Sequence, residues 1–201
     1  MRFRHFVLMA WVLLIPVAAH ANDFGVLRTA VPVSKGVWRL GGGGIVSLDD
    51  NGREALILSA SSGLTPKVDF EGKLSISGDD TAIGGGINYL ALKAGMHPID
   101  LSIGGGFTFV SHDQADASIV DVNIIGSKPI NPKATFYGAL ALGFASQDVP
   151  EGADGSYNII TLVPGVDFKL NEKINAVVEL GIGLSDAADN YLAGMIHYHI
   201  R

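Results

Sequence analysis

From residue 37 to the end of the chain, apolar and polar positions alternate with a period of two, the spacing of a β-strand and not of a helix. The last ten residues of the pattern show it well. Leu192, Gly194, Ile196, Tyr198 and Ile200 share one face, and Ala193, Met195, His197 and His199 share the other. The same alternation predicts strands over 37–48, 53–60, 68–77, 81–92, 99–111, 118–127, 134–146, 157–170, 173–185 and 191–200. Turn signals part them, among them Asp50-Asn51-Gly52, Gly78-Asp79-Asp80 and Pro129-Ile130-Asn131-Pro132. No helical period follows residue 37, and no linker divides the chain. Residues 22–36 alternate only weakly, contain Pro32, and read as an extended lead-in.

Each strand has one apolar face. The opposite faces carry charge of both signs: Arg39, Lys73 and Lys169 against Asp69, Glu71, Asp121, Asp167 and Glu179, with His197 and His199 on the last strand. Such a polar cluster suits the wet interior of a barrel whose apolar faces meet lipid. Most strands have the length of about 9–11 residues that a tilted strand needs to cross the hydrocarbon layer. The expected fold is therefore all-β: an antiparallel, up-and-down transmembrane barrel over 37–201, with about ten strands. Gly41–Gly44 weaken the first strand, and without the pair over 37–60 eight strands would remain. A soluble β-barrel or sandwich with a solvated polar face is the competing architecture, and it would bind a small ligand in its interior.

The start of the chain names a compartment. Arg2 and Arg4 precede an apolar run from Phe6 to Ala18, and Ala19-His20-Ala21 has the form of a signal-peptidase site before Asn22. The run is too short for a membrane anchor and is broken by Pro16, so residues 1–21 read as a cleaved signal. The formal net charge is −6, and losing Arg2 and Arg4 makes the mature chain more acidic still, which excludes an ordinary nucleic-acid binder. There are no cysteines, so disulfides cannot stabilise this exported chain, whereas a closed ladder of backbone hydrogen bonds could. Many of the 26 glycines sit inside alternating runs such as Gly84–Gly86 and Gly104–Gly106, as a narrow barrel interior requires.

Charge sorts by turn. Counting back from the C-terminus, one set of turns carries Lys35, Lys67, Lys93, Lys128, Lys133 and Lys173. The other carries Asp49, Asp50, Asp79, Asp80, Asp113, Asp116, Asp148, Glu151, Asp154, Asp186 and Asp189. Aromatic residues fall near both ends: Trp38, Phe70, Tyr89, Phe136, Phe168 and Tyr198 at the lysine side, Phe107, Phe109, Phe144 and Tyr191 at the acidic side. Girdles of this kind mark the two membrane interfaces.

On these features, and on the segments Pro164–Lys173 and Glu179–Asp186, the chain resembles the small outer-membrane β-barrel proteins of Gram-negative bacteria over nearly its whole mature length. It departs from them in ending Ile200-Arg201 where they usually end in phenylalanine. The resemblance implies an outer-membrane, porin-like cell-envelope protein in contact with lipid and lipopolysaccharide and inserted by the barrel-assembly machinery. The acidic outer rim, with the loop residues Asp148, Glu151 and Asp154, is expected to engage lipopolysaccharide or a cationic partner through diffuse electrostatics and bridging divalent cations, the alternative being a merely solvated surface.

Chemistry is sparse. Ser111-His112-Asp113 is the one cluster suggesting a lipid-modifying enzyme, with His112 as base. Neighbours on an extended chain point to opposite faces, so the three do not converge. His197 and His199 with Glu179 from the preceding strand could ligate a metal, but they read better as lumen histidines bonded to neighbouring acids. The expectation is a non-enzymatic barrel with a structural or surface-interaction role, with no cofactor and no metal.

Overall fold

The computed structural model describes residues 24–49, 52–78, 80–112, 115–148 and 155–201. The signal-like residues 1–21 lie outside the described residues, as do Asp50, Asp79, Asp113, Glu151 and Asp154. The side chains of His112 and Asp148 are likewise not described.

Ten strands form: β1 (Trp38–Ser47), β2 (Glu54–Thr65), β3 (Val68–Ser77), β4 (Asp80–Leu92), β5 (Asp100–His112), β6 (Ala115–Asn131), β7 (Ala134–Asp148), β8 (Gly155–Lys169), β9 (Ile174–Gly183) and β10 (Tyr191–Ile200). Each pairs antiparallel with its sequence neighbours, and β1 pairs with β10, closing the barrel. The closing seam runs in unbroken register from Trp38↔Ile200 to Ser47↔Tyr191. The glycine-rich first strand, which reads as the weakest, is thus part of the closure. At Gly43 the two backbones come so close that a Cβ would meet the carbonyl of Gly194. The eight-stranded alternative is set aside for that reason.

The alternation sorts the side chains as the pleat requires. Outward-facing Leu56, Ile83, Ile87, Ile103, Val120, Ile124, Leu162, Val178, Leu192 and Ile196 are all 43–60% exposed. Inward-facing Ile57, Ile119, Ile125, Val163 and Val177 are buried, as are Arg39, Asp69, Glu71, Glu179 and His197. A water-soluble barrel would not leave a continuous apolar belt of this kind uncovered.

The rim where Trp38 and Ile200 lie, here the terminal rim, carries the three register shifts seen among the described residues: Gly63/Thr65, Leu90/Leu92 and Pro129/Asn131. Trp38, Phe70, Tyr89, Phe136, Phe168 and Tyr198 ring it, each 44–47% exposed apart from the half-buried Phe70. Trp38 meets Phe70 edge to face, with ring centroids 5.7 Å apart. At the far rim Phe107, Phe109 and Phe144 face outward. Tyr191 does not join that girdle. It shares the parity of Ala193 and Met195, points inward and is 2% exposed.

The segment before β1 is the main departure from a plain barrel. Phe24, Val26, Leu27, Arg28, Ala30 and Val33 are buried among inward-facing side chains, so residues 24–33 fill the lumen as a plug. The segment leaves at the terminal rim, where Lys35 bridges to Gly63, and turns through Gly36 into β1.

Candidate functional site

The luminal site is built around two groups of carboxylates. The first is Glu179 on β9, 1% exposed. Its Oε1 accepts the N–H of Val26 at 2.7 Å and its Oε2 the N–H of Leu27 at 2.6 Å. Tyr137 donates its hydroxyl to Oε2 at 2.5 Å, and Tyr191 donates to Oε1 at 3.0 Å. Four donors therefore satisfy one buried carboxylate. Two successive backbone N–H groups converge on it because Gly25 and Leu27 both have positive φ, 58° and 52°, making an anion-binding nest. A Cβ at Gly25 would run into Glu179 Oε1, so that position tolerates no side chain.

The tyrosines reach Glu179 because glycines lie beneath them. In register, Tyr137 pairs with Gly165, and Gly165 pairs with Glu179. With no side chain between them, the phenol spans a whole strand. Tyr191 pairs with Gly181 in the same way, and a Cβ at either glycine would strike the ring.

The second group is Asp69, Glu71 and Lys73, successive inward positions on β3. Arg28 Nη2 lies 2.6 and 2.7 Å from the two oxygens of Asp69, and its Nη1 3.4 Å from Glu71 Oε2. Asp69 also accepts the N–H of Val33 at 2.7 Å. Burial works against the Arg28 charge, but Glu71 and Asp69 outweigh it and hold the guanidinium above its ordinary range. Glu71 is shared further with Arg39 at 3.2 Å and Lys73 at 3.6 Å. Lys73 donates to the carbonyls of Gly25 at 2.9 Å and Val26 at 3.3 Å. Each β3 charge thus helps to hold the plug, directly or through a shared ion pair. Ser127 accepts the Ala30 N–H at 3.2 Å and adds an anchor on β6.

The remaining polar positions divide. Asp167 accepts Asn175 Nδ2 at 2.9 Å, and Lys169 is exposed at the terminal rim, apart from the cluster. Asp121 lines a cavity on the wall away from Glu179. His197 is 1% exposed and faces inward with His199. Glu179 pairs in register with Ala193, whereas His197 pairs with Asn175 four residues further along. With its oxygens taken by the plug and two tyrosines, Glu179 is no partner for the histidines in a ligand set. Among the described residues no group of three His, Cys, Asp or Glu could hold a metal ion.

Of Ser111-His112-Asp113, only the Ser111 side chain is described, and it is exposed at the far rim. The proposed loop contacts Glu151 and Asp154 lie outside the described residues, and of Asp148 only the backbone, paired with Asp116, is described. Asp49 at the same rim accepts both the N–H and the side-chain amide of Asn190, at 2.7 and 3.0 Å, tying the β1 and β10 ends together.

No family model matches the chain, and no curated protein matches it. Among solved structures, the barrel is similar to the KdgM porin, with 10% identity, a TM-score of 0.47, and 81% of this chain and 99% of that one covered. It is also similar to the Yersinia pestis outer membrane protein Ail, at 12% identity, a TM-score of 0.43, and 83% and 100% covered. The N-terminal β-barrel domain of Pseudomonas aeruginosa OprF stands at 13% identity and a TM-score of 0.37, with 83% and 98% covered. These likenesses carry no part of the functional reading below, which rests on the barrel's own residues.

Proposed function

We propose that the protein is an outer-membrane β-barrel of a Gram-negative bacterium with a structural or surface-interaction role, exported on a cleaved signal peptide and inserted by the barrel-assembly machinery. One observation carries the reading: a continuous outward apolar belt with an aromatic ring at its edge surrounds a lumen filled by the chain's own residues 24–33. The belt calls for lipid. The plugged lumen speaks against a general pore, since most of its charged groups are engaged with one another and with the plug. In this reading the lysine-bearing terminal rim faces the periplasm and the acidic far rim faces outward. There Asp49, Asp80, Asp116, Asp186 and Asp189, with the loop acids Asp148, Glu151 and Asp154, meet lipopolysaccharide phosphates through divalent cations.

Fractionation tests the reading first. The mature protein should sediment with outer membranes, resist extraction without detergent and migrate faster on gels before boiling than after. Recovery from the soluble periplasm would refute it. In planar bilayers the full-length barrel should give no large, stable conductance, and steady pore openings would overturn the closed-lumen reading while leaving the membrane placement intact.

A further inference from the structure

The plug leans to one side of the lumen, with its charged contacts on β3 and β9. Between it and the opposite wall lies a cavity of about 110 Å³. It exists because that wall is bare: Gly84 and Gly86 on β4, Gly104 and Gly106 on β5, and Gly143 on β7 all line it.

Bare backbone alone would be only a gap, but polar side chains overhang this one. Asn88 lines the cavity and is 2% exposed, yet neither its Oδ1 nor its Nδ2 has a hydrogen-bond partner among the described residues. On the same row, Asn88 pairs with Gly104 and Gly104 with Asn123. Asn123 Oδ1 is also unpartnered and leans over Gly104, 2.6 Å from where a Cβ would stand. One step along, Asp121 Oδ1 leans over Gly106 at 2.8 Å from the corresponding point. Asp121 Oδ1 and Asn123 Oδ1 thus lean over the glycine floor, and Asn88 stands on the same row as Asn123.

We propose that this bay binds a small primary ammonium ion, whose three N–H donors match Asp121, Asn123 Oδ1 and Asn88 Oδ1. Charge favours a cation. Asp121 has no ion pair among the described residues, while the other charged groups on the cavity, Arg28, Lys73 and Glu71, are committed to one another, to Asp69 and to plug carbonyls. A divalent metal is a poor match, because one carboxylate falls short of the oxygen set that Ca²⁺ or Mg²⁺ takes. Size sets the limit: an apolar cavity of about 150 Å³ admits benzene, so this one suits an amine of two or three carbons. Phe24 and Tyr191 also line the cavity. The acidic far rim would concentrate such ions near the barrel.

The test uses the full mature barrel in detergent and does not depend on where the protein resides. Its melting midpoint is followed against ethylammonium, tetramethylammonium and ethylene glycol at constant ionic strength. Ethylammonium should raise the midpoint saturably, and the other two should not, since one lacks N–H donors and the other lacks charge. Asp121→Asn and Asn88→Ala should each weaken the response about tenfold or more. Gly104→Ala, which keeps every charge but takes the space over which Asn123 Oδ1 leans, should abolish it. No saturable shift in the wild type, meaning a bay that holds water only, overturns the proposal. So does an equal response to tetramethylammonium or ethylene glycol, or an unchanged response in Asn88→Ala together with Gly104→Ala should Asp121→Asn fail to fold.

Discussion

Replacing Arg28 with alanine should release the plug and leave the barrel standing. Arg28 is the one plug side chain that forms ion pairs among the described residues, contacting Asp69 at 2.6 Å and Glu71 at 3.4 Å, with all three groups less than a tenth exposed. Removing one partner of a buried pair costs about 3–5 kcal/mol, because the other charge is left stranded in a poor solvent. That cost has a ceiling here. Once the plug swings out at Gly36, water entering from the terminal rim can solvate Asp69, and Glu71 keeps Arg39 and Lys73. The penalty therefore falls on docking, not on strand pairing. At about 1.4 kcal/mol per decade, the docking equilibrium constant of the plug should fall roughly 140- to 4000-fold. Native-state hydrogen exchange reads this directly. The amides of Val26, Leu27 and Val33, which bond Glu179 and Asp69, should lose that much protection. Those of the β5–β6 ladder should keep theirs. Arg28→Lys should fall between, since one ammonium cannot serve both carboxylates as the guanidinium does. Unchanged protection at the three plug amides, or an equal loss throughout the barrel, would refute the reasoning.

Three further outcomes follow from the same geometry. Gly25→Ala places a side chain at φ 58° and against Glu179 Oε1, so it should cost at least about 1–2 kcal/mol of docking and expose the Val26 and Leu27 amides selectively, as exchange would show. Tyr137→Phe removes one of the four donors to Glu179 and should lower stability by about 1–3 kcal/mol in a urea titration, with the barrel's circular dichroism unchanged. Gly105→Arg puts a cation in the middle of the outward face between Ile103 and Phe107. It should cost about 2–4 kcal/mol of insertion into lipid vesicles, and unimpaired folding would contradict the outward assignment.

The strand pattern was legible because a period of two, once one face meets lipid, leaves little freedom of register. The boundaries of β3 and β10 coincide with the alternation, whereas β6 runs further at both rims and β7 at the far rim, where hairpin residues beyond the belt continue the ladder. The same parity could have corrected the placement of Tyr191. Its position beside Leu192 at the acidic end suggests a girdle, but its face is that of Ala193 and Met195, and Gly181 opposite clears a place for the ring. The grouping of Arg39, Asp69, Glu71, Lys73 and Glu179 on inward faces was legible too. Their partners were not, because the reach of a side chain across the lumen depends on what stands between, as Gly165 shows for Tyr137 and Glu179.

The plug left a fainter trace, and it lay in the charge balance of the inward faces. Deep in the lumen, Asp69, Glu71, Asp121, Asp167 and Glu179 face only Arg39 and Lys73, since Lys169 sits at the rim. Buried carboxylates in excess need cations or N–H donors, and ten strands alone do not supply them. The lead-in does: Arg28 brings a guanidinium to Asp69 and Glu71, Val26 and Leu27 bring backbone N–H groups to Glu179, and Val33 brings another to Asp69. Local patterning could not reveal this, because residues 24–33 have neither strand nor helix periodicity and are ordered by side chains that lie 36 to 153 positions away in sequence. The imbalance that draws the segment in is not fully discharged by it. Asp121 remains on the far wall beside the unpartnered amide of Asn88 and the unpartnered Oδ1 of Asn123. Seating the plug and furnishing the ammonium bay are thus two consequences of one surplus of acid on the inner face of the barrel.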